Sequence, residues 1–185
     1  MRADFLEAVQ GNDFTCFKFV DEPGTNLAHC RRHARAAGGQ RARQGVPLRG
    51  GPNATLVAAL TPQGLQAART PSGAVNGNGF AASLDQVLGP TLLPGDVVAP
   101  GNLPAHKVAG LAEIVAARGA RLLYLPPCSP DVNPIELAFS KWKSWLRTAQ
   151  ARTRQALEDA IHAASERVSQ QDAKKRFDHC GYHVQ

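Results

Sequence analysis

Strand-length apolar segments lead this chain and then alternate with helical ones, and that order restricts the fold more than any other feature. After a short helix over 2–10, Phe14 to Val20 (FTCFKFV) reads as a buried strand, stopped by Asp21-Glu22-Pro23-Gly24. Leu56 to Leu60 reads as a second strand, and Gln66 to Thr70 as a third, paired through a turn over Thr61 to Gly64. Asn78 to Leu88 then shows helical spacing, Asp96 to Ala99 a strand, Lys107 to Arg118 a helix closed by Gly119, and Arg121 to Leu125 a strand broken by Pro126-Pro127. Two helices follow, near 134–148 and 154–169. Three strands in a run, then strands alternating with helices, predict an α/β class: one mixed sheet with helices on both faces.

A chain of 185 residues, 43% apolar, suffices for one domain with a proper core. Its 21 Lys and Arg against 15 Asp and Glu leave a net charge of +6, which suggests a polyanionic partner and also fits an arginine-rich composition as such. No segment approaches ~18 consecutive apolar residues, so no membrane span is predicted. Asp4 and Glu7 interrupt any signal-peptide core at the start. The four cysteines show no C-x-x-C pair, and reduced thiols in a cytosolic setting are the default. Neither His29, Cys30 and His33 nor His179, Cys180 and His183 offers four zinc ligands at standard spacing.

Phosphoryl-transfer chemistry on two metals needs carboxylates that converge, so acids at element ends matter most. Asp21 directly follows the first strand, at the sheet edge where α/β sites form, and also suits a plain turn before Glu-Pro-Gly. Glu136 stands three residues after Asn133, with Pro134 at the first helical position. That arrangement resembles a capping box as much as a metal-site helix. Ile135, Phe139, Trp142 and Leu146 form the apolar stripe of this helix, while Glu136, Ser140, Lys143 and Arg147 share another face. Trp142 is therefore read as core and Trp145 stays open.

Several strings together resemble the insertion-sequence-630 family of DDE transposases, relatives of the mariner elements. They are Phe19-Val20-Asp21-Glu22, Asn76-Gly77, Gly95-Asp96-Val97-Val98, Asn102-Leu103-Pro104-Ala105-His106-Lys107, Gly119 to Pro127, Ser129-Pro130-Asp131-Val132-Asn133-Pro134-Ile135-Glu136, and Cys180-Gly181-Tyr182. The resemblance implies an RNase-H-like (integrase-type) fold, two Mg²⁺ or Mn²⁺ ions, and a triad of two aspartates and a glutamate that cuts and joins DNA. By motif, Asp21 is the first aspartate and Glu136 the glutamate, both catalytic and metal-binding. The second aspartate belongs where Gly101 stands, 35 positions before Glu136. The spacing is that of the family, so the change is a substitution rather than a shift of register.

Nearby replacements fail on geometry. Asp96 begins the same strand, ~16 Å away at ~3.3 Å per residue. Asn102, in an extended segment, is expected to point to the opposite face. Glu22 and Asp131 have no support from pattern, and His106 either faces the site or makes local bonds at a helix start. The expected function is a transposase catalytic domain impaired at Gly101, the alternative a non-catalytic DNA-binding remnant. An RNase-H-like nuclease outside transposition is disfavoured by the Asn-Pro-Ile-Glu string and the interval. DNA, as element ends and target, is the implied partner, contacted by Arg31, Arg32, Arg35, Arg41, Arg43, Lys107, Lys143 and Arg147. Family members begin with helix-turn-helix segments, for which the residues before Asp21 leave no room. A catalytic part alone is thus expected over 1–185, with a homodimer and a separately encoded helix-turn-helix half as further partners. A bacterial cytoplasmic, nucleoid-associated location follows from the same resemblance.

Overall fold

In a computed structural model that describes residues 2–71 and 75–184, the alternating pattern of the first strand governs the layers. Strand β1 (Phe17–Asp21) sends Phe17 and Phe19 to one face and Val20 to the other. Two further strands come as a hairpin, β4 (Val57–Thr61) and β5 (Gly64–Arg69), after a small ladder of β2 (Gly24–Thr25) with β3 (Ala54–Thr55). β6 (Val97–Pro100) and β7 (Arg121–Leu122) complete a five-stranded sheet among the described residues, in the order β5-β4-β1-β6-β7. β4 runs antiparallel to both β1 and β5, whereas β6 is parallel to β1 and to β7. The ladder continues past β7, since the amides of Leu123 and Leu125 donate to the carbonyls of Val98 and Pro100.

Helices cover both faces. Phe17, Phe19, Leu60, Val97 and Ala99 pack against α4 (Pro134–Ala149), α5 (Arg154–Glu166) and α6 (Gln170–His179). Helix α1 (Arg2–Val9) adds Phe5 and Val9 to this core. On the other face Val20, Val57, Ala59 and Val98 meet α2 (Gly77–Ser83), a π-turn over Leu84–Leu88, and α3 (Leu111–Ala116). An α/β fold with a mixed sheet between helical layers is therefore what the sequence pattern predicted.

Local chemistry moves several boundaries. The expected helix over 107–118 starts only at Leu111, because Pro104 opens a 3-10 turn to His106 and Gly110 is left-handed at φ 86°. Residues 14–16 form a 3-10 turn capped by Asp13, so the first strand begins at Phe17. Helix α6 was not predicted. It is strongly polar and turns only Ala173 and Phe177 fully inward, four residues apart.

Helix α6 is held by a capping box in which Ser169 and Asp172 bond reciprocally, and by Lys141, whose Nζ lies 2.6 Å from the Asp172 carboxylate. The hydrogen bonds from Lys141 and then Ser169 hold the Asp172 carboxyl at about 2, below its ordinary 3.8. The folded value is the lower one, so this stabilisation is complete above pH ~4 and is lost as pH falls from there through the folded value. Asp172→Asn is expected to lower unfolding stability by ~1–2 kcal/mol at pH 7. Urea titrations should find that gap closing as pH falls from ~4 towards ~2.

Candidate active site

The parallel register of β1 and β6 builds the site. Val20 lies opposite Pro100, so continuing the register by one residue sets Gly101 beside Asp21 at the carboxyl edge of the sheet. Asp21 shares the pleat of Phe17 and Phe19, the face covered by α4. Glu136, in the first turn of α4, reaches the same place from above. Asp21, Gly101, Asn102, His106, Asn133 and Glu136 line one cleft, with Leu125, Pro126 and Ser129 among its walls.

Helix α4 is aimed at this cleft by its buried stripe of Ile135, Ala138, Phe139, Trp142 and Leu146. The Tyr182 hydroxyl donates to the Val132 carbonyl at 2.7 Å and ties the turn before α4 to the aromatic core of Phe14, Phe17, Phe19 and Phe177. The capping-box alternative for Glu136 is not realised. Asn133 makes no side-chain cap bond, and its Nδ2 donates instead to Asp21 Oδ2 at 3.4 Å.

The two carboxyl groups, Asp21 and Glu136, are close enough to hydrogen-bond each other. Burial pushes Asp21 above the ordinary carboxylate range, against the hydrogen bond from the Glu22 amide, which favours the charged form. Partial burial, followed by the neighbouring Asp21, raises Glu136 as well, although its side chain stands at the exposed rim. Buried polar atoms without a hydrogen-bond partner include Asn102 Oδ1 and Asn133 Oδ1, both on residues of the cleft. Such atoms are costly in a dry interior, and their concentration here marks a place built to receive something polar.

Asn102 differs from the expectation that it points away. The strand ends at Pro100, so pleat alternation no longer applies, and the Asn102 amide donates to Leu125 O at 2.8 Å while lining the cleft. Glu22 and His106, which pattern alone did not support, also meet here. His106 Nε2 lies 2.6 Å from Glu22 Oε2, with side-chain exposures of 0% and 12%. Burial disfavours charge on His106, but the Glu22 carboxylate outweighs it and the ring's pKa is raised. Asp96 sits at the other end of β6 and is engaged by Lys18 at 3.3 Å.

Basic side chains gather apart from the cleft floor. Arg31 and Arg32 share one recess with Ser144, Arg147 and Thr148, and another with Arg43, Gln44 and Gln150. Lys143 belongs to this surface, because it joins Arg147 and Arg32 in lowering the pKa of His29, after burial as the largest cause. The loop that carries these arginines is anchored where Arg152 donates to the carbonyls of Leu27 and His29, both at 3.0 Å. Arg35 and Arg41 are exposed on the same loop, and Lys107 is exposed beside His106. Trp145, left open by the sequence, carries the Arg167 guanidinium over its ring at 4.2 Å. Among the described residues no helix is long and apolar enough to cross a membrane.

Comparison with known proteins gives the family and the fold. Residues 17–158 match the family model described as DDE superfamily endonuclease. The fold resembles the Mos1 strand transfer complex with TM-score 0.72 at 16% identity, over 96% of this chain and 56% of that one. It also resembles the catalytic domain of Mos1 mariner transposase, with TM-score 0.68 at 10% identity, over 96% and 85% of the two chains. The Mos1 mariner paired end complex with Mn gives TM-score 0.69 at 14% identity, over 97% and 58%. The chain thus spans a little over half the length of the first of these proteins. Among curated proteins none matches significantly.

Proposed function

The chain belongs to the DDE superfamily endonucleases, and from that membership we propose that it is the catalytic domain of a DNA transposase whose cleavage is impaired because Gly101 stands where the middle aspartate belongs. The convergence of Asp21 and Glu136 on one cleft, with Gly101 lining the same cleft, carries this reading. The residues fit a divalent cation: Asp21 and Glu136 both stand above the ordinary carboxylate range, chiefly through burial, and amide oxygens without partners stand around them. Asp21 and Glu136 would hold Mg²⁺ or Mn²⁺, which when bound polarises the scissile phosphate and lowers the pKa of an attacking water. Asn133 orients Asp21 through its amide, and Tyr182 braces the turn from which Asn133 and Glu136 project. Loss of the third carboxylate would weaken the hold on the metal, and that weakness is the proposed defect.

The arginine surface supports DNA as partner, both element ends and target. Counterion release makes such binding steeply salt-dependent. Arg31→Ala with Arg32→Ala is expected to lower the slope of log K against log salt by about 2 on duplex DNA. An unchanged slope in fluorescence anisotropy would remove these two residues from the contact. A homodimer acting on DNA in a bacterial cytoplasm, at the nucleoid, completes the reading.

A second reading, a non-catalytic DNA-binding remnant, is favoured by the one observation of Gly101 itself. Supercoiled plasmid with Mn²⁺ or Mg²⁺ separates the two. Nicking that Glu136→Ala abolishes supports the transposase. Salt-sensitive binding without nicking, persisting after Gly101→Asp, supports the remnant.

A further inference from the structure

Glu22 and His106 have no part in the triad, yet both come close to Asp21. One ligand atom from each of Asp21, Glu22 and His106 lies within 4.8 Å of the other two. In an octahedral shell with bonds of ~2.1 Å, opposite ligands are ~4.2 Å apart, so these atoms need move only a few tenths of an ångström to share one ion. We propose that Asp21, Glu22 and His106 form a divalent-metal site in which an imidazole nitrogen stands in for the carboxylate missing at position 101, and that this site prefers Mn²⁺ and later first-row ions to Mg²⁺. The inference rests on the reading of the cleft as a metal-dependent endonuclease site.

Three observations besides the cluster support it. The first is the fit of the ring to the glycine. A Cβ built on Gly101 would stand 3.0 Å from Cε1 and 3.1 Å from Nδ1 of His106, so the imidazole edge lies close against the place where a side chain at 101 would begin. The second is rigidity. His106 is fully buried and stacked on Phe80 with ring centroids 4.4 Å apart, so Nε2 is aimed at the carboxylates without freedom to turn away. The third is unpartnered polarity. Asn133 is 5% exposed, and its Oδ1 lacks a partner, as does Asn102 Oδ1, in the same cleft. Amide oxygens in that position suit a metal ion or its bound water.

The preference among metals follows from the donor set. Mg²⁺ takes oxygen ligands and tolerates imidazole poorly, whereas Mn²⁺ and the ions after it accept nitrogen with rising affinity. The short Glu22–His106 contact has a purely structural alternative, a buried ion pair that locks the 3-10 turn to β1. Only metal binding gives the nitrogen a magnetic signature.

The full chain is titrated with Mn²⁺ alone and examined by electron spin echo envelope modulation. Nitrogen modulation from one imidazole is expected, absent in His106→Ala, together with Mn²⁺ affinity at least ~10-fold above that for Mg²⁺ by calorimetry. Because His106→Ala removes a buried ring, Glu22→Gln serves as the second variant. It should weaken Mn²⁺ binding ~10–100-fold while leaving the metal-free melting temperature nearly unchanged. Mn²⁺ held without nitrogen modulation, yet released by Asp21→Asn, overturns this assignment and leaves the transposase reading in place. Equal affinity for Mg²⁺ overturns it too. No Mn²⁺ binding by the native chain or by Gly101→Asp overturns both readings.

Discussion

Gly101→Asp is expected to raise metal-dependent nicking of supercoiled DNA by ~10²–10³-fold, the scale on which one preorganised charge-stabilising group acts. Position 101 extends the parallel register of β6 to the level of Asp21, so a carboxylate there enters a cleft that already holds Asp21 and Glu136. The gain has an opposing cost. The new Cβ would meet the His106 ring at 3.0 Å, and that ring is trapped between Phe80 and the Glu22 carboxylate. Overpacking of this kind costs ~1–3 kcal/mol, so the variant should melt lower while cutting faster. Single-turnover nicking with Mg²⁺ and with Mn²⁺, alongside thermal melts, reads both effects. A variant that melts normally and cuts no faster than the native chain would show that position 101 does not face the reacting phosphate.

The metal dependence of that gain carries more information than its size. With a third carboxylate the donor set becomes oxygen-rich, so Mg²⁺ should gain more than Mn²⁺. If the imidazole already serves as a ligand, native-chain nicking with Mn²⁺ should exceed that with Mg²⁺, and Gly101→Asp should narrow the difference. A side chain at 101 stands in tight contact with the His106 ring, so the ring must give by a few tenths of an ångström when the carboxylate is restored.

Much of this frame was legible from residue pattern. FTCFKFV and the segment around Val97-Val98-Ala99 are too apolar for any but buried central strands, and β1 and β6 do lie side by side in the middle of the sheet. Motif spacing brought Asp21 and Glu136 together because the elements carrying them obey simple periodicities. What escaped was tertiary. Helix α6 exposes nearly all of a polar sequence and is stabilised by Ser169, Asp172 and Lys141 across a gap of 31 residues. The ladder of Gly24–Thr25 with Ala54–Thr55 closes a long arginine-rich loop and has too few residues to show a period. Glu22 and His106 are 84 positions apart, and neither belongs to a repeating pattern. Only Ser169-x-x-Asp172 offered a local signal, that of a helix start.

Trp142→Ala is expected to be the most destabilising single change near the site, at ~3–5 kcal/mol. Trp142 is fully buried at the centre of the α4 stripe, packs on Phe139 with centroids 6.2 Å apart, and donates from Nε1 to the Ile161 carbonyl at 3.3 Å. Truncation therefore removes packing between α4 and the sheet and takes one of two side-chain donors from the Ile161 carbonyl of α5, which Ser165 Oγ still serves at 2.8 Å. Against a typical domain stability of ~5–15 kcal/mol, that loss brings the protein close to unfolding at room temperature. In urea the midpoint should fall sharply with an unchanged slope, because the surface exposed on unfolding is nearly the same. Trp142→Phe should retain much of the stability, since it keeps an aromatic ring in the stripe. The same two variants separate anchoring from chemistry. If α4 serves to present Glu136, Trp142→Ala in the Gly101→Asp background should lose nicking at temperatures where circular dichroism still reports a folded chain. Full nicking there would mean that Glu136 is held by the Val132–Tyr182 bond and the Asn133 turn alone.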